Sequence, residues 1–221
     1  VSGKFGERWA LMAQSLGFTT DVLTVPWGQI CTATILQSHL ASQNRDYKDY
    51  KAVLCQVCET STGVLHPVRE LASVVHAQTG ALFMVDAVSA LGAVELPMDE
   101  WNLDVVVAGS QKGLASPTGL SVLALNARAW EQATQSRYPK FYWDLAQEKK
   151  SNQSNATFFS SCTSLIRALH AVLVKMETRG LKDVFAAVAR RAALTRFGVQ
   201  QFGLETFPQV ASPTLTVVRL P

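Results

Sequence analysis

Residues 81–112 read ALFMVDAVSALGAVELPMDEWNLDVVVAGSQK, and the two apolar runs inside that stretch decide the fold. ALFMV and DVVVAG are near-continuously apolar rather than alternating, the pattern of strands covered on both faces. The first run ends on Asp86 and the second on Gln111-Lys112. Working outward, KAVLCQVCE (51–59), GLSVLALN (119–126) and FTTDVLTVP (18–26) also read as strands. Between them the period changes. KFGERWALMAQSLG (4–17) spaces Phe5, Trp9, Met12 and Leu16 at helical intervals and stops at Gly17. CTATILQSHLAS (31–42) looks helical, and PVRELASVVHAQTG (67–80) carries Pro67 in its first turn and Gly80 at its close. Strands alternating with helices predict an α/β architecture, a mostly parallel central sheet with helices on both faces. Beyond about residue 138 a polar stretch, DLAQEKKSNQSNATFFSS (144–161), leads into long helices from about 163 to 202. PTLTVVRLP (213–221) looks like a strand that opens a smaller C-terminal α/β unit, so the expected division is 1–200 and 201–221.

Composition narrows the function. With 221 residues, 48% hydrophobic and 17% charged, the chain is of ordinary globular make-up and can bury a sizeable core. The net charge of +3 is thinly spread, which leaves no electrostatic footprint for nucleic acid. No apolar run is long enough to span a bilayer. The 4 cysteines are too sparse for a disulfide scaffold. Cys55 and Cys58 have the spacing of a metal or redox pair, but on a strand positions i and i+3 face opposite ways, so they read as buried thiols and no metal site is expected. NQS at 152 and NAT at 155 match the glycosylation pattern and read as loop residues. The chain begins at Val1 without an initiator methionine.

In an open parallel sheet the C-terminal strand ends share one edge, and ligands bind in the crevice outside it. Three runs end there in polar chemistry: Glu59-Thr60-Ser61-Thr62-Gly63, Asp86, and Gln111-Lys112. Strand ends often carry Asp or Ser as helix caps, so each alone is weak. Together they describe a site for a charged small molecule. An amine beside apolar strand residues loses its proton readily and becomes a nucleophile, and a neighbouring carboxylate suits a ring nitrogen. A Schiff-base lysine with an acidic partner for a pyridinium belongs to pyridoxal phosphate chemistry. Neither the Walker spacing nor G-x-G-x-x-G is present.

Three stretches, GKFGERW (3–9), ETSTGVLHPV (59–68) and VDAVSALGAVELPMDEWNLDVVVAGSQKGLASPTG (85–119), resemble the class V aminotransferases, nearest to the alanine–glyoxylate and serine–glyoxylate branch. The resemblance implies the large domain of a fold-type-I transferase that uses pyridoxal 5′-phosphate. It implies that Lys112 bonds the cofactor covalently and later moves the proton between Cα and C4′, and that Asp86 keeps the ring nitrogen protonated. Thr60 would hydrogen-bond the phenolic oxygen and Gln111 would reach the phosphate. Val88 would pack under the ring and Phe5 would stack over it. Ser160 would reach the phosphate held by a neighbouring subunit of a homodimer.

The departures are as informative. The family's Ser/Gly-rich phosphate cup lies upstream of the GKFGERW match, and its substrate-carboxylate arginine lies beyond Pro221; Arg219 sits in the context of an earlier strand. Where relatives read Tyr-Thr-Pro, this chain has Phe159-Ser160-Ser161. The chain therefore reads as the central part of a longer protein. The expected activity moves an amino group from alanine or serine to glyoxylate or pyruvate, with no nucleic-acid or membrane partner. A cytoplasmic location, or a peroxisomal one in a eukaryote, is expected. Three alternatives stay open: a cysteine desulfurase, against which stand Gln111 before the lysine and the lack of a loop cysteine other than Cys162; an aminophosphonate-type class V enzyme; and a truncated, non-catalytic homologue.

Overall fold

The computed structural model describes residues 1–42 and 50–220. Five-residue strands β1 (Ala52–Gln56), β4 (Leu82–Asp86), β5 (Val105–Gly109) and β6 (Ser121–Leu125) form the central sheet in the order β1-β4-β5-β6. β1, β4 and β5 are mutually parallel, with Gln56 opposite Asp86 and Asp86 opposite Val107. β6 runs antiparallel to β5, so the sheet is mixed and mostly parallel. The three parallel strands thus end on one edge, as the apolar runs predicted.

Alternate residues divide the core. Phe83 and Val85 of β4 and Val106 and Ala108 of β5 pack with Leu36 and Leu40 of α2 (Ala33–Ser42) and Leu71 and Val75 of α3 (Val68–Gln78). Phe83 is fully buried there, and truncating such a side chain costs about 3–5 kcal/mol. The opposite face holds a smaller cluster, Leu82 and Val105 against Ala129 of α4 (Ala127–Gln135). Helices therefore flank both faces, unequally.

The N-terminal ends of β4 and β5 are locked by Asp104, 1% exposed. Its carboxylate accepts the Phe83 N–H at 2.7 Å, the Asn126 amide at 2.9 Å and the Arg128 guanidinium at 3.1 Å. Arg128 also donates to the carbonyls of Gly80 and Ala81.

Five details differ from the sequence expectation. A helix, α4, follows β6 where none was expected, capped by the Asn126 side chain. FTTDVLTVP joins no sheet; its backbone bonds go to Val1 instead, from the Val25 N–H and to the Leu23 carbonyl, so no ladder forms. KAVLCQVCE is two strands. At Val57 the N–H bonds the Asp86 carbonyl while the carbonyl accepts from His66, and the chain turns from β4 to pair β2 (Cys58–Glu59) with β3 (Val64–Leu65). The polar stretch after residue 143 contains a helix, α5 (Leu145–Gln153), whose first turn is capped by the Asp144 carboxylate. The tail contributes only β8 (Val218–Arg219), paired with β7 (Glu205–Thr206), and Pro221 lies outside the described residues.

The remaining helices fall where periodicity put them. α1 spans Lys4–Ser15, with Gly17 at φ 82° ending the turn, and α6 (Thr163–Arg179) and α7 (Leu181–Gln201) make the long pair. The loop before β8 folds back on β3, with Leu65 N–H to the Val210 carbonyl and Ser212 N–H to that of Gly63. This brings α7 over the strand edge. Among the described residues no helix is long and apolar enough to cross a membrane.

Candidate active site

Asp86 closes β4 with its side chain 7% exposed. One carboxylate oxygen accepts the Val88 N–H at 2.9 Å, and no described residue donates to the other. Burial pushes its pKa up, the Val88 bond pulls it back, and the charge of Glu59 adds to the rise. A buried carboxylate with a spare acceptor fits a cationic ring N–H, which would reverse both penalties.

Lys112 sits in the turn after β5, and the turn is built to hold it. Ser110 is fully buried; its hydroxyl donates to the Pro117 carbonyl at 2.6 Å, and its carbonyl accepts from Ser116. The Lys112 carbonyl accepts the Ala115 N–H, with Ala115 in the left-handed region at φ 47°. Gly113 is required by close approach, since a Cβ there would lie 2.4 Å from the Leu91 carbonyl oxygen. The Lys112 side chain is exposed into a cleft of about 600 Å³. Thr60, hydrogen-bonded to Ser89 at 2.6 Å, lines the same cleft, and α7 with residues 213–216 forms its far wall.

The other expected residues are placed unevenly. Val88 is half-buried beside Asp86. Gln111 folds back over Gly109, whose would-be Cβ lies 2.7 Å from its Oε1. Phe5 opens α1, half-buried, with the Arg8 guanidinium 5.5 Å from its ring centroid. Ser160 is exposed, next to Phe159, whose ring packs on Tyr142, and of the expected residues only Thr60 and Lys112 line the cleft; Asp86, Val88, Gln111, Phe5 and Ser160 do not.

Two residues have a part in this region that sequence reasoning did not assign. Glu59, fully buried, accepts the N–H groups of Phe5 and Gly6 at 3.1 and 2.9 Å and is held by Ser61 at 2.6 Å. It ties the Phe5 helix to the Thr60 turn; the only signal was a carboxylate heading a run of hydroxyls. Arg191 of α7 lines the cleft and gave no signal, being one of several arginines on an amphipathic helix.

Other reactive-looking groups are structural. Ser2 and His66 lie 2.7 Å apart, yet Nδ1 of His66 accepts the Cys31 N–H, which leaves the proton on Nε2, donated toward Ser2. Burial pushes the His66 pKa down to about 4, so the ring is neutral. Burial drives the Cys55 thiol up to about 12 and raises those of Cys31 and Cys58, which makes them poor nucleophiles. Cys162 is exposed at the start of α6, away from the cleft lining.

The family profile described as Aminotransferase class-V matches residues 7–203. The chain belongs to the class V aminotransferase family. A class V member of this kind carries its likeness along the whole chain. It is 36% identical over 222 residues to the "Soluble hydrogenase 42 kDa subunit" of Anabaena cylindrica, covering 100% of this chain and 57% of that protein. It is 32% identical to a serine–glyoxylate aminotransferase of Arabidopsis thaliana, covering 99% of this chain and 55% of that one. Among solved structures, the alanine–glyoxylate aminotransferase of Nostoc sp. superposes with a TM-score of 0.89 at 25% identity, over 100% of this chain and 58% of that one. This class V chain thus spans little more than half the length of the proteins it matches, and its sheet is that of fold-type-I aminotransferases.

Proposed function

We propose that the protein is a pyridoxal-phosphate-dependent transaminase that moves an amino group from a small amino acid, alanine or serine, to glyoxylate or pyruvate. The observation that carries the reading is the strand edge itself. The parallel strands β1, β4 and β5 end on one edge; β4 closes there on the under-bonded Asp86, and Lys112 after β5 and Thr60 after β2 line the cleft beside it. The similarity to glyoxylate aminotransferases supports it. Residues 1–200 would form the cofactor-binding unit and 201–221 would open a smaller one, in a homodimer.

When bound, pyridoxal phosphate supplies an electron sink that stabilises negative charge at the substrate Cα. The chain's residues do the rest. Asp86 would accept the ring N–H with its free oxygen and hold that proton in place. Lys112 would anchor the cofactor through its amine and, once the substrate's amine has displaced it, would carry the proton from the substrate Cα to C4′ of the cofactor. Thr60, oriented by Ser89, presents a hydroxyl to the ring's phenolic oxygen. Phe5 and Val88 would confine the ring, and Gln111 and Ser160 would reach phosphates.

Borohydride reduction of the cofactor-loaded protein, followed by peptide mapping, tests the reading. The pyridoxyl label is expected on Lys112; a label on Lys4 or Lys51 instead would end it.

A further inference from the structure

The Thr60 hydroxyl has one partner among the described residues, the Ser89 hydroxyl 2.6 Å away. The two come from different turns. Thr60 sits between β2 and β3, in a turn closed by the Thr62 and Gly63 N–H groups on the Glu59 carbonyl. Ser89 follows β4, in a turn closed by the Ala90 and Leu91 N–H groups on the Ala87 carbonyl. Both line the cleft that Lys112 enters.

Two hydroxyls carry two protons, and the bond between them uses one. The other finds no acceptor among the charged groups around the pair. Lys112 and Arg191, which line the same cleft, only donate. Glu59, next to Thr60 in the chain, is taken by Phe5, Gly6 and Ser61, and Asp86, three residues before Ser89, accepts from Val88 alone. Burial decides which hydroxyl keeps the spare proton. Ser89 is 7% exposed, whereas Thr60 is half-buried. An O–H without an acceptor costs most where it is most buried, so Ser89 donates to Thr60 and Thr60 turns its own proton to the cleft. A hydroxyl that accepts a bond is also a stronger donor.

We propose that Ser89 is a positioning residue: it aims and polarises the Thr60 O–H, and through it sets the pH at which the Lys112 nitrogen, once joined to the cofactor, gives up its proton. The inference rests on the transaminase reading, which brings the ring's phenolic oxygen to Thr60. That oxygen lies beside the nitrogen contributed by Lys112, and the two share one proton. A donor to the oxygen stabilises the form from which the shared proton has left, so it lowers the pH of that loss. Ser89 touches neither partner in the exchange. It works by fixing which way the Thr60 proton points.

The experiment is a pH titration of the cofactor's absorbance in the full-length protein loaded with pyridoxal phosphate. The parent is compared with Ser89→Ala, Ser89→Thr, Thr60→Val and the double variant Thr60→Val/Ser89→Ala, and melts of the cofactor-free proteins are recorded beside it. Thr60→Val removes a hydrogen bond to a charged oxygen and should raise the midpoint by ~1 pH unit. Ser89→Ala leaves that donor in place but unaimed, and should raise the midpoint by about half as much. Ser89→Thr keeps the hydroxyl and should bring the midpoint back toward the parent's. The double variant should titrate like Thr60→Val alone. A further shift in the double variant would mean that Ser89 meets the cofactor directly, which overturns the positioning role. An unchanged midpoint in Ser89→Ala overturns it too, even with a lowered melting temperature, since that is all a purely structural serine would give. A parent that takes up no cofactor sinks the transaminase reading and this inference together, whereas a parent that titrates normally and is indifferent to Ser89→Ala sinks the inference alone.

Discussion

Replacing Glu59 with Gln should loosen the link between the two halves of the site. α1 begins at Lys4 after Gly3, which has no side chain to cap it, so its first N–H groups need acceptors from elsewhere. Glu59, more than fifty positions along the chain, provides them. Its Oε2 takes the N–H groups of Phe5 and Gly6, and its Oε1 takes the N–H and hydroxyl of Ser61, at 3.1 and 2.6 Å. The Ser61 oxygen in turn accepts the Lys4 N–H at 2.9 Å. The approach is so close that a Cβ on residue 3 would stand 2.4 Å from the Ser61 oxygen and 2.6 Å from Glu59 Cγ, which is why glycine is found there.

The magnitude follows from what glutamine cannot do. It keeps one acceptor oxygen, and its NH₂ must point at groups that are themselves donors. Two of the four donors then lose their partner in a largely buried place, and the helix N-terminus loses its facing charge. At ~1–3 kcal/mol per stranded buried group, offset in part because a buried charge is removed, the net loss should be ~2–4 kcal/mol. Urea melts of the cofactor-free protein read the stability term, and an absorbance titration reads cofactor affinity, which should weaken as the Phe5 end of α1 frays. A loss below ~0.5 kcal/mol, the level of an ordinary surface change, would refute the capping argument.

Three further outcomes are expected. Asp86→Asn keeps the shape and removes the charge that holds the ring proton, so kcat should fall by ~3 kcal/mol in barrier, on the order of a hundredfold, with KM little altered; near-normal turnover would place the ring elsewhere. Without cofactor the same change should stabilise the fold at neutral pH. The raised Asp86 carboxyl favours its proton, so its penalty grows as pH climbs through the raised value, and the advantage of Asn should vanish in acid, as paired melts would show. His66 works in the opposite direction. Depressed from 6.5 to about 4, it contributes stability above pH 6.5 that is lost as pH falls toward 4. At ~1.4 kcal/mol per unit this is ~3 kcal/mol, and His66→Gln should flatten the urea midpoint across that window; an unchanged slope would remove His66 as the cause.

Much of this was legible because burial on both faces writes itself into sequence. β4 and β5 could hardly be anything but inner strands, and their parallel course brings Asp86 and Lys112 to one edge. FTTDVLTVP carries the same residue types, but a strand exists only where a neighbour supplies a ladder, and there Val1 takes the bonds. α5 has a polar surface all round, so periodicity was silent, and the Asp144 cap that starts it went unread. Of the site, Lys112, Asp86 and Thr60 showed themselves as polar residues at the ends of apolar runs. Glu59 closed such a run too, but its role did not show, because the N–H groups of Phe5 and Gly6 that define it lie more than fifty residues away; Arg191 was one of several arginines on an amphipathic helix.

The two ends of the sheet treat the same chemistry in opposite ways. At the N-terminal end Asp104 has donors on both oxygens, from a backbone N–H, an amide and a guanidinium, and can accept nothing more. At the C-terminal end Asp86 has one donor for two oxygens, and the Ser116 hydroxyl is buried without a partner. A carboxylate whose acceptors are all occupied can only hold the fold together. One left short, in a place where burial already disfavours its charge, is stabilised by a cation that the fold itself does not supply. Stability is therefore concentrated where the strands begin, and unsatisfied polar groups gather where they end. That asymmetry, rather than any single residue, is what suits the strand edge to the charged ring and the amino acid of the proposed reaction.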